Sequence, residues 1–234
     1  MSLGTSFFLP IFWALSFLGF SEGKTSLPHG PALKNHGQLL LEQLGQSHPQ
    51  PPSLQALEVA LSGYTQLKDE LKNQVLTVID FTLPSTQKRL WIIDMAQQKI
   101  LLHTVVAHGR NSGQLLAEHF SNRPESYQSS LGFYKTAETY QGKHGYSLRL
   151  DGLEKGINDQ ARKRAIVIHG AAYASEQVAA TGGRLGRSLG CPAVPEALAA
   201  NLIRLIKDGS LLFIYGKDPS YLQQSRFWPS ALPA

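Results

Sequence analysis

The sequence predicts a mainly β domain of the sandwich or barrel kind, with one helix at its N-terminal side and one helix late in the chain. Twenty-one glycines and thirteen prolines are spread without period, which supplies many short turns. Apolar, β-branched runs recur at 75–81, 89–94 and 100–107. Convincing helical spacing is confined to two stretches, one after Ser53 and one after Pro195. With 42% hydrophobic and 17% charged residues among 234, the chain has enough apolar side chains for one sizeable core, which excludes a disordered chain or a coiled coil.

Residues 7–20 form a nearly uninterrupted apolar run, too short to span a membrane and of the right length for the core of a signal peptide. The small residues Ser21 and Gly23 follow it, so residues 1–23 are expected to be a cleaved leader. That makes the protein an exported one, of the periplasm or cell envelope, touching a membrane only where the leader stays uncleaved. No later stretch is apolar enough to span a bilayer. Residues 24–52, rich in proline and histidine, read as a flexible linker with room for one short helix around Leu39–Leu44, and the folded domain is assigned to 53–234.

From Ser53, Leu54, Leu57, Leu61, Tyr64, Leu67 and Leu71 recur at three- or four-residue spacing, and Ser53 is placed to cap that helix. The apolar runs that follow have the alternation of a meander, with Met95–Lys99 as a polar turn between the second and third. Shorter strands are expected at 132–135, 147–150, 165–169 and 211–215. The late helix runs from about Pro195 to Lys207, stopped by Asp208-Gly209. Residues 108–132 are polar, rich in Gly and Ser, and too long for a passive turn; long loops on a β scaffold are where sites are built.

A formal charge of +5, with its basic residues scattered, excludes a nucleic-acid binder but suits an anionic polymer such as bacterial cell wall. The cysteine count is more informative. Cys191 stands alone, so no intramolecular disulfide exists; in an oxidising compartment an unpaired thiol is inert and buried, an intermolecular link, or reactive. Upstream, the apolar run Ala165–Ile168 ends in His169-Gly170. A nearby imidazole and a helix N-terminus after the thiol are what would make it nucleophilic.

Two rival chemistries compete with that pair. Gly186-x-Ser188-x-Gly190 fits the serine-hydrolase elbow, but that arrangement needs a histidine after the serine, and none follows His169. A zinc site from His103, His108, His119, His144 and His169 lacks any spacing that sets two imidazoles on one helical turn. His108-Gly109 and His144-Gly145 read instead as shaping loops or lining a cleft.

Ile168-His169-Gly170, a glycine-rich interval, and then Gly186-Arg187-Ser188-Leu189-Gly190-Cys191-Pro192 resemble the signature of the murein L,D-transpeptidase catalytic domain, the YkuD-like superfamily. The likeness extends upstream through AHGRNSG, FSNRPESYQSSLGFY, the Tyr140–Leu150 stretch and Ala165–Tyr173, about Tyr64 to Gly216 in all. The resemblance implies a cysteine enzyme acting on the peptide stems of peptidoglycan, monomeric, with no cofactor and no metal. Cys191 would be the nucleophile, His169 the general base, and Gly170 the carbonyl orienting the imidazole. Leu189, Gly190 and Ser188 would belong to the oxyanion loop, and Arg187, Tyr173, Asn122 and Ser112 would bind substrate. Where the better-known members carry arginine after the cysteine, this chain has Pro192, and Arg187 is the candidate substitute. Hydrolysis of the same bonds by an L,D-carboxypeptidase or amidase, or a non-catalytic wall-binding module, are the alternatives.

Overall fold

The computed structural model describes Met1 and residues 35–228. The expected leader, 1–23, and the first part of the expected linker, 24–34, lie outside the described residues. Helix α1, His36–Ser47, opens the described chain, followed by α2, Leu54–Leu67. Both are capped by side chains. Asn35 and Gln38 form a reciprocal capping box on α1, while Ser53 Oγ accepts from the Ala56 amide at 3.3 Å on α2.

The expectation of a flexible linker through residue 52 is corrected here. Leu40 and Leu44, one turn apart on α1, are buried in the main core, and the α1–α2 connection is fixed by Trp91 Nε1 donating to the Gln50 carbonyl at 2.8 Å. Burying two leucines outweighs the freedom the proline-rich connector would otherwise keep.

Eight strands form one mixed sheet: β1 Val75–Asp80, β2 Leu90–Asp94, β3 Lys99–Thr104, β4 Gly132–Gly142, β5 Gly145–Gly152, β6 Val167–Gly170, β7 Ala193–Val194 and β8 Leu211–Tyr215. Their order is β3-β2-β1-β8-β4-β5-β6-β7. The early meander is antiparallel, as its alternation predicts, and β8 enters parallel beside β1 and antiparallel to β4. Beyond β3, Ala107 bridges Ala193 of β7, the amide of each donating to the carbonyl of the other at 2.8 and 3.3 Å. The two ends of the sheet therefore meet, and the mainly β fold is a nearly closed barrel.

Three short helices complete the described chain: α3, Glu176–Gly182, α4, Glu196–Ile206, and α5, Pro219–Gln224. The main core gathers α2, α4 and side chains from both faces of the sheet, since β2 and β8 contribute consecutive residues, with Phe133 stacked on Phe213 at 4.4 Å between ring centroids. A smaller apolar cluster, including Ala107, Ala171, Leu185 and Ala193, lies beneath the 171–190 segment. Among the described residues no helix is long and apolar enough to cross a membrane.

Candidate active site

Strand alternation decides where the histidine points. In β6, Ile168 belongs to the main core, so its neighbour His169 faces the other way, paired in register with Ala193 of β7 on one side and Ser147 of β5 on the other. Gly170 lets α4 approach closely: a Cβ there would lie 3.0 Å from that of Ala199 and 3.2 Å from the Glu196 Cα, tighter than ordinary contact, so the helix packs directly on the strand. The bare Gly170 carbonyl then lies 2.9 Å from His169 Nδ1. With Nδ1–H donating to that carbonyl, Nε2 is the nitrogen left to exchange a proton.

Cys191 precedes Ala193 by two residues, as Val167 precedes His169, so the parallel pairing sets the cysteine beside the start of β6. Its Sγ accepts from the Val167 amide at 3.4 Å and donates to the Ala165 carbonyl at 3.6 Å. Ala165 holds a left-handed φ of 54°, an uncommon conformation for alanine that turns its carbonyl out beside the thiol. Burial pushes the thiol above the usual cysteine range, against the opposing pull of the Val167 amide, Arg164 and Lys143. Burial likewise holds His169 below the usual imidazole range, opposed by the Gly170 carbonyl and reinforced by His144 and Lys143. At rest both groups are therefore favoured in their neutral forms. The expectation that a helix N-terminus lowers the thiol is not met: α4 begins only at Glu196, and the dipole acts within the first turn.

The turn 188–191 is fastened by Ser188, whose buried Oγ donates to the Cys191 carbonyl at 2.6 Å and accepts from the Gly190 amide at 3.0 Å. Gly190 has φ +124°, and a Cβ there would press within 2.9 Å of the Gln128 carbonyl, so only glycine fits. Its amide is thus spent on Ser188, which removes it from the expected oxyanion donors and leaves the amides of Leu189 and Cys191 for that role. Leu189 itself is exposed beside the cysteine.

The long 108–132 loop wraps this turn. The Ser188 amide donates to the His108 carbonyl, the Arg110 amide donates to the Ser188 carbonyl, and Ser129 Oγ donates to the Gly190 carbonyl at 3.1 Å. His108 is clamped at the base of the loop by fully buried Arg89, 2.8 Å from its Nδ1, and burial holds it down to about 4.

The expected substrate-binding residues divide. Tyr173 lies close enough to Cys191 for a thiolate there to oppose its ionisation; burial first and that charge second push it up to about 12. Arg187 spends Nη1 on the carbonyls of Arg110 and Gly113, at 3.0 and 3.2 Å, so it holds the loop rather than standing free as a clamp. Ser112 is a correction: it is fully buried, its Oγ accepting from the Ser129 amide, and no substrate reaches it. Asn122 is committed at both ends, donating to Asp159 and accepting from the Gln160 amide, which makes it a strut between two loops.

Arg164 is the neighbour that sequence reading missed. Its guanidinium donates to the carbonyls of Ser121 and Gln128 and to the hydroxyls of Ser126 and Ser130, fixing the loop while bringing a cation to the thiol. Within the basic run Arg162-Lys163-Arg164 nothing local separates it from a solvated arginine. Among the described residues no three His, Cys, Asp or Glu side chains gather as a metal ion would require.

Compared with known proteins, the L,D-transpeptidase catalytic domain family matches residues 50–215. Similar solved structures include an L,D-transpeptidase from Stackebrandtia nassauensis, 15% identical, covering 76% of this chain and 77% of that one at a TM-score of 0.37. An L,D-transpeptidase from Mycobacterium smegmatis is 12% identical, with 61% of this chain and 58% of that one covered at 0.37. The helical cell shape determining protein Pgp2 from Campylobacter jejuni is 14% identical, with 63% and 49% covered at 0.43. The chain thus spans less than two thirds of the length of the last two. No curated protein matches it.

Proposed function

This chain belongs to the L,D-transpeptidase catalytic domain family, and from that premise we propose that it is a cysteine-dependent transpeptidase of peptidoglycan stems, working outside the inner membrane where murein lies. The observation that carries the reading is the β6–β7 register, which brings Cys191, two residues before β7, beside the strand that carries His169, with Nδ1 of the imidazole held by the Gly170 carbonyl. The two groups are those the reaction needs.

In the first half, His169 Nε2 takes the Cys191 proton as Sγ attacks the carbonyl between the diamino acid and the terminal D-alanine. The C–N bond then breaks, the imidazolium returns the proton to the departing amine, and a thioester remains. In the second half, an amine of another stem gives its proton to His169 as it attacks the thioester carbonyl, the C–S bond breaks, and the imidazolium returns the proton to the departing Cys191 sulfur. The amides of Leu189 and Cys191 face the developing oxyanion. Because both partners rest neutral, proton transfer is coupled to attack. Arg164 supports the thiolate as it forms.

Incubating the purified protein with tetrapeptide-containing muropeptides tests this by mass analysis. Crosslinked dimers with free D-alanine are expected from the wild type and neither product from Cys191→Ala. Trimmed monomers without dimers would make the protein a carboxypeptidase, and no Cys191-dependent product would overturn catalysis altogether.

A further inference from the structure

The mechanism above leaves one contact to the catalytic imidazole unused. Lys143 and His144 form the tip of the β4–β5 hairpin, between the paired glycines Gly142 and Gly145. The His144 ring lies stacked on the His169 ring, with centroids 4.4 Å apart and planes within 25° of parallel. This contact crosses from an exposed hairpin tip to a buried strand residue. An imidazole turns about a broad terminal torsion, so one hydrogen bond at Nδ1 leaves it freedom to rock out of plane. A second ring laid against its face removes that freedom and keeps water from it.

We propose that His144 is a positioning residue of the reaction: its ring holds His169 in the plane in which Nδ1 meets the Gly170 carbonyl and Nε2 stays available to the thiol and the incoming amine. The proposal rests on the transpeptidase reading for its consequence, though the stack itself does not. What positioning requires is a flat face, not a second proton carrier, so a phenyl ring should serve nearly as well.

The charges around His169 add a second readout. Lys143 and His144 face it from the hairpin, Glu196 of α4 lies against Gly170, Arg149 of β5 pairs with Val167, and Tyr173 and Cys191 flank the site. Of these, His144 and Lys143 disfavour the imidazolium, as does the burial to which the His144 ring contributes. Removing the ring both hydrates His169 and withdraws that repulsion; both changes raise its pKa.

His144→Ala and His144→Phe are compared with wild type in the muropeptide assay across the acid limb. The same variants in a Cys191→Ala background are followed by NMR titration of the His169 ring. His144→Ala is expected to lose roughly ten- to a hundredfold in kcat with little change in KM, since misplacing a catalytic group costs on that scale. Its acid limb and the His169 titration should both move to higher pH, and His144→Phe should recover most of kcat. An unchanged kcat and titration in His144→Ala overturns the proposal, and so does a His144→Phe enzyme as impaired as His144→Ala. The titration needs no turnover, so an inactive wild type would overturn the functional reading, while a moved or unmoved His169 midpoint would still decide for or against the ring contact.

Discussion

Cys191 and His169 are both held in neutral form at rest, and this decides how the thiol should behave toward reagents of different size. Burial raises the thiol, so at neutral pH it carries less thiolate than a free cysteine, which titrates near ~8.5. Alkylation by iodoacetamide should therefore be slow at pH 7 and keep rising past the free-cysteine midpoint; a plateau already reached at pH 7 would show a resting ion pair instead. Turnover should not follow that curve, because His169, depressed below ~6.5, remains an unprotonated base at neutral pH and loses that role only in more acidic solution. Cys191→Ala should abolish product and leave the thermal midpoint near wild type. Ser188→Ala is milder chemically but not structurally: it strips the buried Gly190 amide and the Cys191 carbonyl of their partner. A cost of about 1–3 kcal/mol in denaturant unfolding is expected, with reduced rather than absent turnover. Cys191 and His169 stand out in the sequence because each is a chemically distinctive residue type framed by glycine. Ser112, Asn122 and Arg187 are expected substrate contacts, yet each is hydrogen-bonded within the protein, and sequence does not distinguish a polar side chain that ties segments together from one that meets a ligand.

Elements fix the site through close approaches that allow little change. Gly170→Ala would place a methyl 3.0 Å from the Ala199 Cβ, forcing α4 off β6 and shifting the carbonyl that orients His169. Overpacking of this kind costs about 1–3 kcal/mol, so the variant should lose both stability and kcat; wild-type values for either would show that α4 yields freely. A second clasp is Glu154. Its buried carboxyl accepts from the Phe133 amide at 2.7 Å, from Tyr221 of α5 and from Ser225, and burial raises its pKa. An acid raised in the folded state favours folding most below its unfolded pKa, and that contribution fades as pH rises through the folded value. The stability of wild type relative to Glu154→Gln should therefore increase as pH is lowered from about 7 to about 5; a constant or falling difference would show that the carboxyl is not destabilised when ionised. The meander, the α2 and α4 helices and the β8 strand were readable from period alone. The two-residue β7, the second half of β4 and the short helices α3 and α5 were not, because each is too short or too polar to show a period and forms only when neighbours supply the other half of its contacts.

At the scale of the whole molecule, the sequence boundary at Ser53 and the structural one diverge, and the divergence can be measured. Pro49, Pro51 and Pro52 mark a chain that cannot continue a helix, which locally looks like a tether; what sequence does not show is that α1 before them has a surface to land on. That surface is there: Leu40 and Leu44 enter the same core as Leu57 and Ala60 of α2, Asn35 donates to Glu58, and His103 lies edge-on to His48 and stacked on Trp91 at 4.7 Å. Removing residues through 52 would expose the core where α1 had covered it and leave Trp91 Nε1 without the Gln50 carbonyl. Two buried leucines alone account for about 3–6 kcal/mol, a large fraction of the ~5–15 kcal/mol by which domains are stable. A chain beginning at Ser53 should thus unfold at markedly lower denaturant than one beginning at Lys34, and it should do so with Cys191 and His169 untouched, since α1 packs mainly on α2 and β3. Equal midpoints for the two chains would return residues 35–52 to the role of a tether and confine the folded unit to the barrel and its own helices.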